Sequence, residues 1–381
     1  MKINICILYG GKTTEHEISI ITALEALENF NKDKYNILPV YISKENDFYT
    51  GSELLDINNY KDIEILLTKL KKVNFIKENN NLYVKVKNKF YNRKIFKVDC
   101  LFPIVHGTNT EDGTIAGYLS MFNVPYVLSD VCSSAVSMDK YFTKCILNYN
   151  NIDVLPGLTF NIHDDIDIVI KQIEDKLSYP VIVKPNNLGS SIGIKSASNI
   201  DELKDAIYYS FEFSKDIIVE EKLNEFREIN CSVLGDSENM ITSSLEEVIK
   251  SDEILSFNDK YLSNLKTKNI DPLNRIIPAS INKELEDKIN DISIKIFKIL
   301  KSNGVIRIDY LYDQNKDKLY VNEVNNIPGS LASYLWKESG KNFTTLLDEL
   351  IKLAFKRYRE DEKINYVFLS NVLNKTNKIK K

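Results

Sequence analysis

Four residues near the end of the chain have the types and spacing for metal and phosphate chemistry. In Arg307-Ile308-Asp309 the charged residues are two apart, as are the carboxylate and amide of Glu323-Val324-Asn325. On extended strands such pairs share one face. The stretch Asp313–Lys318 between them is turn-like, which predicts a hairpin that gathers all four side chains. Hard oxygen donors of this kind suit Mg²⁺, which keeps part of its shell for waters and substrate phosphates. An arginine beside them can hold a phosphoryl group through two parallel N–H bonds. A surface ladder of opposite charges would use the same residue types. Ile308 and Val324 argue against that, because they require the reverse face to be buried.

A second cluster is Lys184-Pro185-Asn186-Asn187-Leu188-Gly189-Ser190-Ser191-Ile192-Gly193. A lysine ends an apolar strand and a Gly/Ser loop follows. Such a loop offers N–H groups and hydroxyls to phosphate oxygens. It lacks the GK[ST] of a Walker A loop, and an ordinary hairpin turn stays open as a reading. Lys140, in Met138-Asp139-Lys140, opens a predicted helix and says little alone. In Gly10-Gly11-Lys12-Thr13-Thr14-Glu15-His16-Glu17, Glu15 falls in the first turn of another predicted helix. The helix dipole favours a carboxylate there. Glu15 is therefore either a simple cap charge or a carboxylate waiting for an ammonium group.

These residues need elements to hold them. Ile3–Leu8 reads as a buried strand, followed by Gly10-Gly11 and a helix whose stripe is Ile20, Ile21, Leu24 and Leu27. Thr14 and Glu17 fit a capping box. A strand at Tyr35–Ile42 completes a β–loop–α–β opening, which predicts a parallel α/β layer. Alternation at Leu82, Val84 and Val86 predicts a hairpin or meander over 73–98. Its lysines, Lys89 among them, either guard a strand edge or form a polyanion site. Strand Leu101–Val105, a helix over Met138–Asn148, strand Pro180–Lys184, a helix capped near Asn199 and strand Ile217–Glu221 follow. An amphipathic helix on Leu285, Ile289, Ile292, Ile296 and Ile299, closed by Gly304, precedes strands Val305–Tyr312 and Lys318–Val324. Asn374–Lys381 reads as a frayed tail.

Composition bounds the function. The chain has 381 residues, enough for two or three domains, with 43% hydrophobic and 27% charged residues. A net charge of −4 excludes a general nucleic-acid binder. The five cysteines form no CxxC pair and read as reduced thiols of a cytoplasmic protein. No signal segment or membrane span is expected.

In order along the chain stand GGKTTEHEIS, FPIVHGTNTEDGTIAGYL, VPYVLSD with MDK, YPVIVKPNNLGSSIGI, VIRIDYLYD and YVNEVNNIPG. Together they resemble the D-alanine–D-alanine ligase family of the ATP-grasp superfamily, over about residues 3–352. The resemblance implies an N-terminal parallel α/β substrate domain (1–130), followed by two α+β ATP-grasp subdomains (131–221 and 222–360) that sandwich ATP, and a tail (361–381). It implies ATP-dependent peptide-bond formation for peptidoglycan synthesis, in a cytoplasmic homodimer with amino-acid substrates and no nucleic-acid or membrane partner. Lys140 and Lys184 would hold ATP phosphates, joined by Ser190 and Ser191. Glu221 and Glu228 would bind adenine and ribose. Asp309, Glu323 and Asn325 would hold two Mg²⁺ ions, which Mn²⁺ could replace. Arg307 would stabilise the transferred phosphoryl group, and the Gly329 N–H would be an oxyanion donor. Glu15 would take the ammonium of the first amino acid, with His106 near its carboxylate. Ser190 and Tyr261 would link to Glu15, and a loop at about 250–270 carrying Lys260 and Tyr261 would close the site.

The chain departs from the family pattern in three places. Thr110 replaces a glycine in the stretch from His106 to Gly113, and Ser256 and Phe257 stand where Asp and Tyr are expected. After Gly329 the segment that grips the second substrate is shorter by a few residues, leaving Ser330 or Ser333 to take that contact or to cap the next helix. The acceptor therefore stays open at this point: D-alanine, or D-serine, D-lactate, another amino acid or a small peptide. A nucleotide-binding protein without catalysis would need the ATP and metal positions altered, and all are filled.

Overall fold

The computed structural model describes residues 1–87, 93–249, 274–368 and 370. Lys89, the loop at about 250–270 with Ser256, Phe257, Lys260 and Tyr261, and the tail Asn374–Lys381 lie outside the described residues.

Apolar runs in the N-terminal part build a mixed seven-stranded sheet. Its strands are β1 (Ile3–Gly10), β2 (Tyr35–Ile42), β3 (Phe48–Thr50), β4 (Lys71–Glu78), β5 (Asn81–Val86), β6 (Lys94–Val98) and β7 (Cys100–Ile104), ordered β6-β5-β4-β3-β2-β1-β7. β1 is parallel to β2 and β7, as the opening predicts; β3 to β6 add an antiparallel meander. Residues Ile5 to Tyr9 are fully buried because β1 is paired on both edges, by β2 and β7, and covered on both faces. Edge strand β6 carries lysines in ion pairs, Lys94 with Glu78 and Lys97 with Asp99. Helix α1 (His16–Asn29) follows β1, α2 (Ile63–Lys69) lies between β3 and β4, and α3 (Thr114–Ser120) follows β7. The capping box is not formed. α1 starts at His16 with Glu15 at the N-cap position and no side-chain cap bond, and the Glu15 N–H is taken by Thr13 Oγ1 at 3.2 Å.

The predicted helix over Met138–Asn148 forms as α5 (Lys140–Tyr149), with Lys140 at its start, and a separate helix, α4 (Val131–Met138), precedes it. Asp139 divides them, because its carboxylate caps α5 by accepting from the Phe142 N–H. An antiparallel sheet follows, β8 (Gly157–Asn161), β9 (Val181–Pro185), β10 (Lys195–Ala197) and β11 (Asp216–Glu221), ordered β10-β9-β11-β8. Helices α6 (Ile166–Lys176) and α7 (Ile200–Phe211) cover one face and bury Ile173, Leu203 and Ile207 against it. Asn199 caps α7 as predicted.

The third sheet has strands β12 (Arg227–Gly235), β13 (Met240–Thr242), β14 (Glu246–Ile249), β15 (Asn274–Ile276), β16 (Gly304–Asp313) and β17 (Lys318–Asn325). The order is β15-β14-β12-β16-β17, with β13 beside β12. Helix α8 (Lys283–Ile299) packs its apolar stripe on the reverse face through Ile289, Ile296 and Phe297. Gly304 does not close this helix. The left-handed residue after it is Lys301 (φ 54°), and Gly304 opens β16. Helices α9 (Ser333–Glu338) and α10 (Phe343–Asp361) return to the N-terminal sheet, so Trp336, Leu347 and Leu350 share one core with Phe102 and Leu27. That return brings the first and third sheets to one cleft. No helix among the described residues is long and apolar enough to cross a membrane.

Candidate active site

The hairpin of β16 and β17 forms as the spacing predicts. Arg307 stands opposite Asn325 and Asp309 opposite Glu323, with Ile308 and Val324 buried behind them. Arg307 donates through Nε and Nη2 to the two oxygens of Asp309, at 2.6 and 2.7 Å, and Asn325 Nδ2 donates to Asp309 Oδ2 at 3.1 Å. Burial works against the Arg307 charge, but the Asp309 carboxylate outweighs it and keeps the guanidinium protonated. A β-bulge after Asp309 makes Asn322 the extra residue on β17, and its side chain meets Lys184 at 3.3 Å. Among the described residues no three His, Cys, Asp or Glu side chains are gathered to hold a metal on their own. Asp309, Glu323 and the Asn325 amide instead offer two carboxylates and a neutral oxygen. That donor set fits Mg²⁺, which completes its shell with water and phosphate oxygens.

Two lysines face this hairpin. Lys140, at the start of α5, donates to the Leu188 carbonyl at 2.5 Å and lies 3.6 Å from Glu323. Lys184, on β9, donates to Glu220 at 2.7 Å. Glu220 is fully buried and also pairs with Lys144. Burial pushes its carboxyl up, yet the two ammonium groups hold it at about 2. Burial lowers Lys144 from its ordinary value, partly offset by Glu220. In the Gly/Ser loop, Ser190 and Ser191 take left-handed φ values of 55° and 60°, and Ser190 Oγ donates to Glu15.

Glu15 stands at the head of α1, buried, and two glycines make room for it. A Cβ on Gly107 would lie 2.9 Å from its Oε2, and one on Gly189 would lie 3.1 Å from both oxygens. His106 Nε2 lies 3.3 Å from Thr22 Oγ1, and burial lowers its pKa to about 4, so the ring is neutral. Thr110, the departure from the family glycine, donates to the carbonyls of His106 and Gly107 and fits the turn. Glu111 accepts the N–H groups of Gly107 and Ile327 at 3.1 and 3.0 Å, joining the first and third sheets at the site. Burial first, then Glu15, raises its carboxyl to about 8.

Beyond Gly329 the chain turns tightly. Ser330, Leu331 and Ala332 are all left-handed, with φ of 50°, 52° and 53°, a conformation costing roughly 1–2 kcal/mol per residue. Burial of Leu331 and Ala332 in the shared core holds it. Neither serine caps α9: Ala332 occupies the N-cap position, without a side-chain bond. Ser330 Oγ donates to Glu25 at 2.5 Å, and Ser333 faces the cleft.

A single cavity of about 950 Å³ receives every predicted site residue that the structure describes, from Glu15 and His106 through Lys140, Lys184, Ser190, Ser191, Glu221 and Glu228 to Arg307, Asp309, Glu323, Asn325, Gly329, Ser330 and Ser333. Lys260 and Tyr261 lie outside the described residues. The residues that sequence reasoning missed are Glu111, Glu220 with Lys144, and a group formed by Asn230, Glu246, Arg275 and Tyr334 on the cavity wall. Their partners are distant in sequence, so no local spacing betrays them.

Two antiparallel sheets with lysines on one and a carboxylate–arginine hairpin on the other, closing on a cleft, define an ATP-grasp enzyme. Within that class the chain belongs to the D-alanine–D-alanine ligase family: the family's N-terminal model matches residues 4–129 and its C-terminal model residues 147–352. The D-alanine–D-alanine ligase of Thermosipho melanesiensis is 40% identical over 364 residues, covering 95% of this chain and 96% of the relative. That of Caldicellulosiruptor bescii is 36% identical over 372 residues, 96% of this chain and 98% of the relative. Among solved structures, the Coxiella burnetii D-alanine–D-alanine ligase superposes with TM-score 0.79 at 28% identity, covering 95% of this chain and 96% of the other. VanG D-Ala:D-Ser ligase of Enterococcus faecalis gives 0.77 at 31%, covering 93% and 100%.

Proposed function

We propose that this protein joins two molecules of D-alanine into D-alanyl-D-alanine at the expense of ATP, for peptidoglycan synthesis. The observation that carries the reading is the convergence on one cavity of the Glu15 carboxylate, Lys140, Lys184 and the Arg307–Asp309 hairpin.

A carboxylate is a poor electrophile, so the reaction runs in two steps. An oxygen of the first D-alanine's carboxylate takes the γ-phosphoryl group, and ADP leaves. The amine of the second D-alanine then attacks the carbonyl carbon of the acyl phosphate, loses a proton, and expels phosphate. The chain supplies position and opposing charge. Glu15 holds the first ammonium and Ser190 fixes Glu15. Neutral His106 sits by the first carboxylate without adding a competing charge. Lys140 and Lys184 hold phosphates with Ser190 and Ser191, and Glu221 and Glu228 hold the nucleoside. Arg307 follows the phosphoryl group, and the Gly329 N–H receives the oxyanion. Mg²⁺ held by Asp309, Glu323 and Asn325, as two ions replaceable by Mn²⁺, would neutralise charge on the phosphoryl group. Lys260 and Tyr261 belong to the same reading as parts of a closing loop that keeps water from the acyl phosphate. The chain divides at about residues 130, 221 and 360 into the substrate domain, two ATP-grasp subdomains and the tail, and acts as a cytoplasmic homodimer.

An acceptor screen tests this. With D-alanine as donor, ATP and Mg²⁺, D-alanine should outcompete D-serine and D-lactate as acceptor. Preference for either of the others, or no phosphate release with D-alanine, would overturn it.

A further inference from the structure

The second amino acid must be held by its carboxylate, and Ser330 in the short segment after Gly329 serves this poorly. Ser330 gives its hydroxyl to Glu25, whose negative charge repels a carboxylate. The same cavity carries a cation elsewhere. Arg275 on β15 stands opposite Val248 on β14, so it shares a sheet face with Glu246, two residues away. Glu246 stands opposite Asn230, and Asn230 opposite Asp309. One row thus runs from the phosphoryl-transfer hairpin to the partner of Arg275. Glu246 is 2% exposed. It accepts from Tyr334 Oη at 2.9 Å and Asn230 Nδ2 at 3.0 Å, and pairs with Arg275 Nη1 at 3.2 Å. The Arg275 guanidinium lies 4.6 Å over the Tyr334 ring. A buried carboxylate at its edge and a ring at its face fix where it points. Asn230 adds an independent sign: it lines the cavity, and its Oδ1 is buried without a hydrogen-bond partner. A buried acceptor of that kind calls for a donor.

We propose that Arg275, aimed by Glu246 and Tyr334, binds the carboxylate of the second D-alanine, while Asn230 Oδ1 receives an N–H of its amine. The order along the row matches the chemistry. The amine lies next to the hairpin where the acyl phosphate forms, and the carboxylate lies beyond it. The proposal rests on the reading of the protein as a D-alanine ligase.

The test pairs D-alanine as donor with two acceptors, D-alanine and D-alaninamide, which lacks the negative charge. Product masses report the acceptor used. The wild-type protein should favour the carboxylate acceptor by roughly 10- to 100-fold, as expected for a charge-assisted hydrogen bond. In Arg275→Met the preference should collapse toward equality, with the KM for ATP unchanged, and Arg275→Lys should restore part of it. A double variant, Glu246→Gln with Arg275→Met, leaves no buried carboxylate short of its partner and should collapse the preference too. Asn230→Ala should weaken both acceptors alike, because both carry the amine. The wild-type preference persisting in the Arg275→Met and double variants, or an equal loss with both acceptors, would overturn the proposal. Wild-type protein that makes no D-alanyl-D-alanine would instead overturn the underlying reading.

Discussion

Replacing Glu111 by glutamine should change the pH dependence of stability in a calculable way. Glu111 is buried between the N–H groups of Gly107 and Ile327, and burial with Glu15 nearby raises its carboxyl from 4.5 to about 8. A raised carboxyl means that the folded protein keeps a proton which the unfolded chain has lost between those values. Its stabilising contribution is complete below about pH 4.5 and declines as pH rises through 8, with a slope of about −1.4 kcal/mol per pH unit. Over the whole window the difference is about 5 kcal/mol. Glutamine cannot titrate. It also turns an NH₂ toward one of two backbone donors, a loss of about 1–3 kcal/mol that does not vary with pH. The diagnostic is therefore slope, not absolute stability. Urea unfolding at half-unit steps from pH 5 to 7.5, without nucleotide or metal, should show the wild-type advantage over Glu111→Gln shrinking as pH rises. Parallel curves, or an advantage that grows with pH, would refute the reasoning.

Three further outcomes follow from the site. Glu220→Ala leaves Lys144 and Lys184 without their shared carboxylate, and should cost about 3–5 kcal/mol in urea unfolding at pH 7; an unchanged midpoint would contradict this. Gly107→Ala places a Cβ 2.1 Å from Thr13 Oγ1 and 2.9 Å from Glu15 Oε2, at φ +82°. Steady-state kinetics should show kcat/KM for D-alanine reduced by roughly 100-fold. Arg307→Lys keeps the charge but loses the two parallel N–H bonds to Asp309, so kcat should fall roughly 100-fold. Near-normal turnover would contradict the proposed role of Arg307 in phosphoryl transfer.

What could be read from the sequence was local. The Arg307–Asp309 and Glu323–Asn325 pairs needed only strand periodicity and one turn, and the hairpin formed with that register. The ordered motifs then brought Glu15, His106 and the lysines to the same cavity. Glu111 was invisible because its second partner, the Ile327 N–H, lies 216 residues away. Glu220 and Lys184 meet only because β11 pairs with β9 rather than with its chain neighbour β10. Arg275 and Glu246 depend likewise on the register of β14 with β15. The capping box failed because the helix starts one residue later than the Thr14 spacing implies, which puts Glu15 at the N-cap position with no side-chain cap bond.

Isotope transfer tests the central claim most directly. D-alanine labelled with ¹⁸O in both carboxylate oxygens is incubated with the protein, ATP and Mg²⁺, and dipeptide and phosphate are analysed by mass. If the first carboxylate is activated as an acyl phosphate, each D-alanyl-D-alanine formed is matched by one phosphate carrying a single ¹⁸O. Dipeptide accompanied by unlabelled phosphate, or phosphate release with no dipeptide, would contradict the account.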